Sequence, residues 1–82
     1  MNDPTIKFKI RSNDSDEMKK LLKQIYAALE SKGYNPVNQL VGYILSEDPT
    51  YITTHDNARS LIRRIDRDEL LQEMLKVYLE LK

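Results

Sequence analysis

Residues 33–56 read GYNPVNQLVGYILSEDPTYITTHD, and this stretch decides how the chain folds. Asn35-Pro36 and Asp48-Pro49 each place a helix-capping residue directly before a proline. The first helical position tolerates proline because an N–H there has no helical partner to lose. Gly33 precedes the first of these signals and predicts the end of an earlier helix, since glycine adopts the left-handed conformation at low cost. The stretch therefore predicts short helices separated by tight turns.

A first helix is predicted from near Asp14 to the residues before Gly33. Asp14 and Glu17 form a capping-box-like start. The apolar residues that follow have the i, i+3, i+4, i+7 spacing that places side chains on one face of a helix. They are Met18, Leu21, Leu22, Ile25, Ala28 and Leu29.

The second helix and the turn after it follow from the two proline signals. Asn35 is predicted to cap this helix. Gly42 inside it predicts a close approach of another helix, because a mid-helix glycine costs roughly 1 kcal/mol relative to alanine. Residues 49–52 are predicted to form one short helical turn. The apolar face of the second helix is expected to contain Val37, Leu40, Val41, Ile44 and Leu45.

Two further helices are predicted after residue 52. Thr53 or Thr54 is expected to cap the third helix, whose buried stripe contains Ala58, Leu61, Ile62 and Ile65. Asp66 with Glu69 is another capping-box-like pair and predicts the start of the last helix. One side of that helix carries Leu70, Leu71, Met74, Leu75, Tyr78 and Leu81.

These elements predict an all-α fold, a small compact bundle of four helices plus a short helical turn. Residues 14–82 are expected to form a helical dimerisation and regulatory domain, after a flexible tail at residues 1–13. A chain of 82 residues without cysteine buries a modest core and has no disulfide to support it. Because the last helix carries excess apolar surface, we expect a homodimer.

Composition argues against several classes of function. The formal net charge is zero, which disfavours a protein built mainly to hold nucleic acid. With one histidine and no cysteine, the chain is not expected to build a zinc site. It has neither a G-x-S-x-G motif nor a glycine-rich phosphate loop. We therefore expect no enzyme activity, no catalytic residue, no metal and no cofactor, and we interpret His55 as a helix-start residue in a polar turn.

The sequence also predicts where the protein is found. No apolar run reaches the ~18–20 residues that a membrane span requires. The start of the chain lacks the pattern of a secretory signal. We therefore expect a cytoplasmic protein without membrane insertion.

The N-terminal tail (residues 1–13) carries one threonine. Ile6, Phe8 and Ile10 alternate with basic residues, a period typical of a strand, but the segment is short and has no evident hairpin partner. A mobile tail is favoured over an ordered edge strand. In a mobile tail Thr5 is accessible to a protein kinase, and a phosphate there would add about −1.5 to −2 charges to a locally basic stretch. The alternative is an ordinary solvated tail.

Four arginines are the second candidate feature of the sequence. Arginine binds phosphate or carboxylate through two parallel hydrogen bonds. One interpretation is a solvated face paired with Asp56, Asp66 and Glu69. The other is an anion-docking surface for a protein partner or for the phosphorylated tail, formed by Arg59, Arg63, Arg64 and Arg67.

The order of the motifs adds a family resemblance. Residues 32–39 read KGYNPVNQ, and Val41-Gly42-Tyr43, Asp48-Pro49 and Tyr51-Ile52 follow. His55, Ala58-Arg59 and Arg67-Asp68-Glu69 complete a pattern that spans essentially the whole chain. In these residues the chain resembles the IreB family (ReoM-like proteins), small cytoplasmic regulators of Gram-positive bacteria.

This resemblance implies a function. Members of the family are helical homodimers with a flexible N-terminal tail and are substrates of membrane Ser/Thr kinases with extracellular PASTA repeats. The phosphorylated threonine lies in an Asp-x-Thr-x-x-aromatic or similar motif. Residues 3–8, DPTIKF, match this motif and make Thr5 the expected phospho-acceptor.

The resemblance also implies a physiological role. The unphosphorylated protein is expected to act as a negative regulator of peptidoglycan synthesis. It would promote Clp-protease turnover of the enzyme for the first committed step, and phosphorylation would relieve this. Antibiotic tolerance is the expected readout. The implied partners are a second copy of the chain, the kinase, and a Clp protease adaptor or the client enzyme.

Some residues depart from the family pattern. Many relatives have glycine at the position of Glu47 and Pro-Arg at Thr53-Thr54, so this chain lacks one positive charge near the arginines. Pro4 directly before the threonine is also unusual.

Two other classes of function remain open from the sequence. The first alternative is a helix-turn-helix-like DNA-binding regulator, because short helices with tight turns and an arginine-rich segment can form such a motif. The second alternative is a structural adaptor with a silent tail.

Overall fold

The computed structural model describes residues 15–81, without the side chain of Ser15. In this range the chain forms four α-helices and two 3₁₀ turns, with no strand. The helices are α1 (Ser15–Ser31), α2 (Pro36–Ser46), α3 (Ala58–Ile62) and α4 (Arg67–Tyr78), and the turns are Pro49–Tyr51 and His55–Asn57. The predicted all-α fold is confirmed, with one more turn than expected. The N-terminal tail, Thr5 and the Asp14 helix start lie outside the described residues.

Helix α1 supplies the largest part of the core. Its residues Met18, Leu21, Ile25, Ala28 and Leu29 are all buried, as their helical spacing predicts. Each large apolar side chain of this kind contributes about 1.5–3 kcal/mol when it leaves water. The core therefore forms on one face of α1, against which the later elements pack.

Gly33 ends α1 in the predicted left-handed conformation, with φ +86°. The Gly33 N–H donates to the Glu30 carbonyl at 3.0 Å, and the Tyr34 N–H donates to the Leu29 carbonyl at 3.0 Å. This pair of bonds is the Schellman arrangement, which satisfies carbonyls that the helix end leaves open. The chain then turns directly into α2.

Helix α2 begins as predicted but buries an unexpected face. The Asn35 Oδ1 atom accepts from the Asn38 N–H at 3.1 Å, and Pro36 is the first helical residue. Pro36 and Tyr43 are buried. Much of the predicted apolar face points away from the core, because Val37, Val41 and Leu45 are 58%, 47% and 80% exposed.

Gly42 makes room for an aromatic ring, and the close approach predicted at this glycine is made by the side chain of Tyr51 in the first 3₁₀ turn. A Cβ atom at this position would lie 2.8 Å from Cζ of Tyr51 and nearer still to two other ring carbons. The Gln39 side chain fixes the same residue, because Nε2 donates to the Tyr51 carbonyl at 2.8 Å. Helix α2 thereby holds the first 3₁₀ turn against its surface.

The first 3₁₀ turn is capped by Asp48 and anchored by Ile52. The Asp48 Oδ1 atom accepts from the Thr50 hydroxyl at 2.7 Å and from the Thr50 N–H at 3.0 Å. These two bonds, with a smaller contribution from the Arg59 charge, lower the pKa of Asp48 below its ordinary value. Ile52 follows the turn and is fully buried.

The third helix starts later than predicted. Asp56 and Asn57 both adopt left-handed backbone conformations, with φ 53° and 63°, and these two residues separate the second 3₁₀ turn from α3. Thr53 and Thr54 therefore precede a turn rather than α3 itself. The predicted buried stripe is confirmed for Ala58, Ile62 and Ile65, while Leu61 is partly buried.

Helix α4 is capped as predicted but is mostly exposed. The Asp66 Oδ1 atom accepts from the Asp68 N–H at 3.0 Å. Within residues 15–81, Oε1 of Glu69 is buried and has no hydrogen-bond partner. Leu70 is the buried residue of the helix. The rest of its apolar side faces outward, which leaves α4 attached to the core near its start.

Candidate partner-binding surface

The four candidate arginines are divided between two helices and their connection. Helix α3 ends at Ile62, and Asp66 caps α4. Arg59 therefore lies on α3, and Arg67 is the first residue of α4. Arg63 and Arg64 lie in the connection between them. The four arginines consequently do not lie on a single helix.

Two of the arginines bind backbone carbonyls. The Arg59 Nε atom donates to the Ile52 carbonyl at 2.9 Å, which fixes the segment after the first 3₁₀ turn. Arg67 donates to the Ile44 carbonyl and forms an ion pair with Glu47. The Ile44 carbonyl belongs to the last turn of α2, which needs donors from outside the helix. These two guanidinium groups therefore hold the fold together.

Arg63 and Arg64 are the arginines that point into solvent. Both are exposed, and neither forms an ion pair with another residue between 15 and 81. We call this pair the basic turn. Its guanidinium groups are available for a phosphate or a carboxylate of a partner. The predicted four-arginine partner surface stays a prediction, with the basic turn as its accessible part.

His55 lies in a polar turn near the end of α1. Its Nε2 atom is 3.3 Å from Asp56 Oδ2 and 3.4 Å from the Ser31 hydroxyl. Across the described part of the chain, no group of three or more histidine or acidic side chains is placed to hold a metal ion. The contacts of His55 are thus those of a residue that joins the second 3₁₀ turn to α1.

Two exposed apolar stripes lie on α2 and α4. The α2 stripe consists of Val37, Val41 and Leu45, spaced four residues apart along one side of the helix. The α4 stripe consists of Leu71, Leu75 and Tyr78, which are 40%, 56% and 86% exposed. Contiguous apolar surface of this kind is typical of a protein-interaction site.

A groove runs between α1 and α4, and we call it the α1–α4 groove. One part, of about 370 Å³, is walled by Leu22 and Tyr26 of α1, Ile44 of α2 and Met74 of α4. A second part of about 370 Å³ continues along α4 past Val77 and Tyr78. Both parts share the same floor and rim residues, namely Lys19, Leu22, Leu70 and Met74. The groove is therefore one continuous, mainly apolar channel.

Sequence reasoning did not find this groove. Leu22 and Met74 belong to the predicted apolar faces of their helices, but their spacing does not reveal a groove between α1 and α4. Lys19 and Lys23, which are not part of the apolar spacing of the first helix, also line the groove. Tyr26, four residues after Leu22, is the one signal that could have indicated a second apolar surface on this helix.

None of the helices within residues 15–81 has both the length and the apolar character needed to cross a bilayer. The helix-turn-helix alternative gains no support. Helix α3 has five residues, and Arg59 and Arg67 on either side of the basic turn are bound to carbonyls.

Exposed apolar stripes and a basic turn on a small helical protein are typical of proteins that bind other proteins. Comparison with known proteins defines the family. Residues 3–80 match the family described as IreB regulatory phosphoprotein. A UPF0297 protein of Ruminiclostridium cellulolyticum is 58% identical over 76 residues, which cover 93% of this chain and 86% of that protein. A UPF0297 protein of Acetivibrio thermocellus is 56% identical over 79 residues, covering 96% and 88%.

The chain therefore belongs to the IreB regulatory phosphoprotein family, and the resemblance found in its motifs is confirmed. The family is one of regulatory phosphoproteins and is not a known enzyme family. Membership thus supports a regulatory role for this chain.

Proposed function

We propose that this chain is a non-enzymatic cytoplasmic regulator whose activity is switched by phosphorylation of Thr5. The observation that carries the proposal is the match to a regulatory phosphoprotein family over residues 3–80, which includes the DPTIKF motif. The phosphate donor is a membrane Ser/Thr kinase of the PASTA type. Phosphorylation at this position changes the charge of the segment that precedes the helical domain.

The switch is electrostatic. A phosphate on Thr5 adds about −1.5 to −2 charges beside Lys7, Lys9 and Arg11. The modified tail then carries a phosphate next to these basic residues. In the unmodified tail, all charged side chains after Asp3 are basic. A partner that binds the basic unmodified tail loses that contact on phosphorylation.

The proposed output is control of peptidoglycan synthesis. In its unphosphorylated form the protein promotes Clp-dependent turnover of the enzyme for the first committed step, and phosphorylation relieves this, with antibiotic tolerance as the result. The basic turn, Arg63 and Arg64, is the proposed contact for the protease adaptor or the client enzyme. Arg59 and Arg67 position it from either side through their bonds to the Ile52 and Ile44 carbonyls.

The proposed assembly is a homodimer. The α2 stripe and the α4 stripe together leave six large apolar side chains exposed. A second copy of the chain presents the same two stripes, so a two-fold axis can pair them without any other partner. Dimerisation would also brace α4, which is attached to the core near its start.

The switch is tested by incubating the full chain with a PASTA-type kinase and measuring intact mass and phosphopeptides. We expect one added phosphate, mapped to Thr5 and absent in Thr5→Ala. Thr54→Ala is the matched control, because Thr54 is an exposed threonine of the helical domain whose side chain makes no capping bond. If Thr5→Ala is phosphorylated as fully as the wild type while the kinase is active, Thr5 is not the switch.

A further inference from the structure

We propose that part of the α1–α4 groove binds an acidic amphipathic helix of a different protein. This part, which we call the inner groove, is the section of about 370 Å³ walled by Leu22, Tyr26, Ile44 and Met74. The two charged residues that line it are both lysines, Lys19 and Lys23. The inference goes beyond the proposed function, because it uses neither Thr5 nor the basic turn.

The inner groove exposes apolar surface that a partner can cover. Tyr26 of α1 and Met74 of α4 are 42% and 47% exposed. Leu22 lies one helical turn before Tyr26, so the α1 wall is a row of apolar side chains along the helix axis. Removing such surface from water is favourable in proportion to the apolar area that is covered. A row of apolar side chains from a partner would therefore gain by lying there.

Both groove lysines are without an acidic partner within residues 15–81. Lys19 and Lys23 are exposed, and neither forms an ion pair with another residue in this range. They lie one helical turn apart, about 6 Å along the axis of α1. A lysine stem can lie along apolar surface while its ammonium group stays at the rim. An occupant with two carboxylates about 6 Å apart beside an apolar row therefore matches the groove in charge.

A helix fits this pattern better than other kinds of occupant. Two carboxylates at positions i and i+4 of a helix lie one turn apart on the same side, next to a row of apolar residues. A small apolar molecule with one anionic group would pair with only one lysine. An extended segment gains affinity from a strand edge, and residues 15–81 contain no strand. A helix needs no such edge because it satisfies its own backbone groups.

The helices of this chain do not supply the occupant. Helices α2 and α3 contain no acidic residue. In α4, Glu69 and Glu73 are one turn apart, but Oε1 of Glu69 is buried and Glu73 is paired with Lys76 at 3.4 Å. Helix α1 buries its long apolar face in the core. Among residues 15–81, no exposed apolar row is therefore flanked by two available carboxylates, and we assign the occupant to a different protein.

The inner groove is also separate from the surfaces proposed for the homodimer. None of its lining residues belongs to the α2 stripe or to the α4 stripe. Tyr78, the last residue of the α4 stripe, lines only the part of the α1–α4 groove that continues along α4. Pairing of two copies through the stripes therefore does not require the side chains of the inner groove.

The first test measures binding of a synthetic helical peptide to the full chain by NMR titration. The peptide carries a row of leucines at helical spacing, flanked by two glutamates one turn apart. A second peptide has lysine in place of each glutamate. We expect the acidic peptide to bind on the order of tenfold more tightly than the basic one, because only the acidic peptide pairs with the groove lysines. The signals that shift are expected to be those of Leu22, Tyr26, Ile44 and Met74.

Two double variants with the same change in net charge test the role of the lysines. Lys19→Glu with Lys23→Glu reverses the charge of the inner groove. Lys20→Glu with Lys32→Glu is the matched control, because both lysines are exposed and neither lines the groove. We expect the first variant to bind the acidic peptide on the order of tenfold more weakly than the control does. Its affinity for the basic peptide should rise.

Met74→Glu tests the apolar wall, and Gln72→Glu is its control on the same helix. Both substitutions add one carboxylate at an exposed position of α4, but only Met74 lines the groove. We expect Met74→Glu to weaken binding of the acidic peptide by about tenfold or more and Gln72→Glu to leave it within about twofold. Far-UV circular dichroism should give the same helical signal for both variants.

Photo-cross-linking in cells that make the protein tests the natural occupant. Tyr26→p-benzoylphenylalanine places the reactive group at an exposed position of the groove. We expect a cross-linked peptide from a different protein, with an apolar row and two acidic residues one helical turn apart. A cross-link to a peptide of this chain, from the same molecule or from a second copy, would overturn the proposal.

Three results of the peptide titrations would also overturn it. In the first, the acidic peptide shifts no groove signal. In the second, the acidic and basic peptides bind the wild type equally. In the third, the two lysine double variants weaken binding of the acidic peptide to the same extent. Kinase labelling of Thr5 is a separate measurement, so failure of this inference and failure of the proposed switch are distinguishable.

Discussion

Single residues of the family motifs are used here to satisfy backbone groups that short helices leave open. Gly33 allows the Tyr34 N–H to reach the Leu29 carbonyl, Gln39 binds the Tyr51 carbonyl, and Arg59 binds the Ile52 carbonyl. A helix leaves its last carbonyls without internal partners, and a chain of short helices has many such ends. A left-handed glycine and two side-chain donors at fixed places in the sequence therefore satisfy carbonyls at the ends of these elements.

Gly42→Ala should lower stability although alanine is the better helix former. Alanine gains about 1 kcal/mol in helix propensity. Its Cβ, however, would overlap the Tyr51 ring, and overpacking of this kind costs about 1–3 kcal/mol. We expect a net loss of about 1 kcal/mol in the free energy of unfolding, measured by urea denaturation.

The Tyr51→Ala background is the control for this substitution. Once the ring is gone, the Cβ meets no obstacle from it, and Gly42→Ala should become stabilising by about 0.5–1 kcal/mol. If Gly42→Ala changes the free energy of unfolding in the same direction in both backgrounds, contact with the Tyr51 ring does not explain the effect of the substitution. A double-mutant cycle measures the coupling directly.

Arg67→Ala should destabilise the fold more than Arg64→Ala. Arg67 donates a charge-assisted hydrogen bond to the Ile44 carbonyl, and loss of such a bond costs about 1–2 kcal/mol at this partly exposed site. Its pair with the exposed Glu47 adds little. Arg64 is exposed, and its removal should change stability by less than about 0.5 kcal/mol. Equal effects in urea denaturation would contradict this division between a structural and a surface arginine.

At the scale of elements, the sequence predicts helix starts well where the signal is local. Asn35, Asp48 and Asp66 each cap the element that follows, and each bond joins residues two or three apart. The start of α3 was missed because Asp56 and Asn57 adopt left-handed conformations that side chains other than glycine rarely signal. Gly42 was singled out correctly, but which group fills the space above it depends on contacts nine residues away.

The exposed stripes on α2 and α4 lead to a prediction about assembly. If they pair two copies of the chain, Val41→Glu or Leu75→Glu places a charge in the interface and should convert the dimer to a monomer. Light scattering coupled to size-exclusion chromatography measures the mass. Gln72→Glu, on an exposed and polar position of α4, is the matched control and should leave the mass unchanged. A wild-type protein that is monomeric at all concentrations would contradict the prediction.

At the scale of the whole molecule, the buried core could be predicted but the working surfaces only in part. The core consists mainly of α1 residues with Ile52, Ala58, Ile62 and Ile65, and most of these follow from helical spacing. The exposure of Met74 and Tyr78 could not be derived, because spacing gives the apolar side of a helix and not the direction in which the helix leaves the core. The sequence identified Arg63 and Arg64 as candidate residues. It did not show that they lie apart from Arg59 and Arg67, because this depends on where α3 ends and where α4 begins.

The attachment of α4 gives this molecule the mechanics of a lever. Its base is clamped by Leu70 in the core and by the bond from Arg67 to α2, while its outer end is free of the core. Twelve residues make an arm of about 18 Å, so a tilt of about 10° at the base moves the tip by about 3 Å. We therefore expect that a molecule bound between α4 and α1 would change the angle of α4, and that a partner bound at the outer end would detect the change.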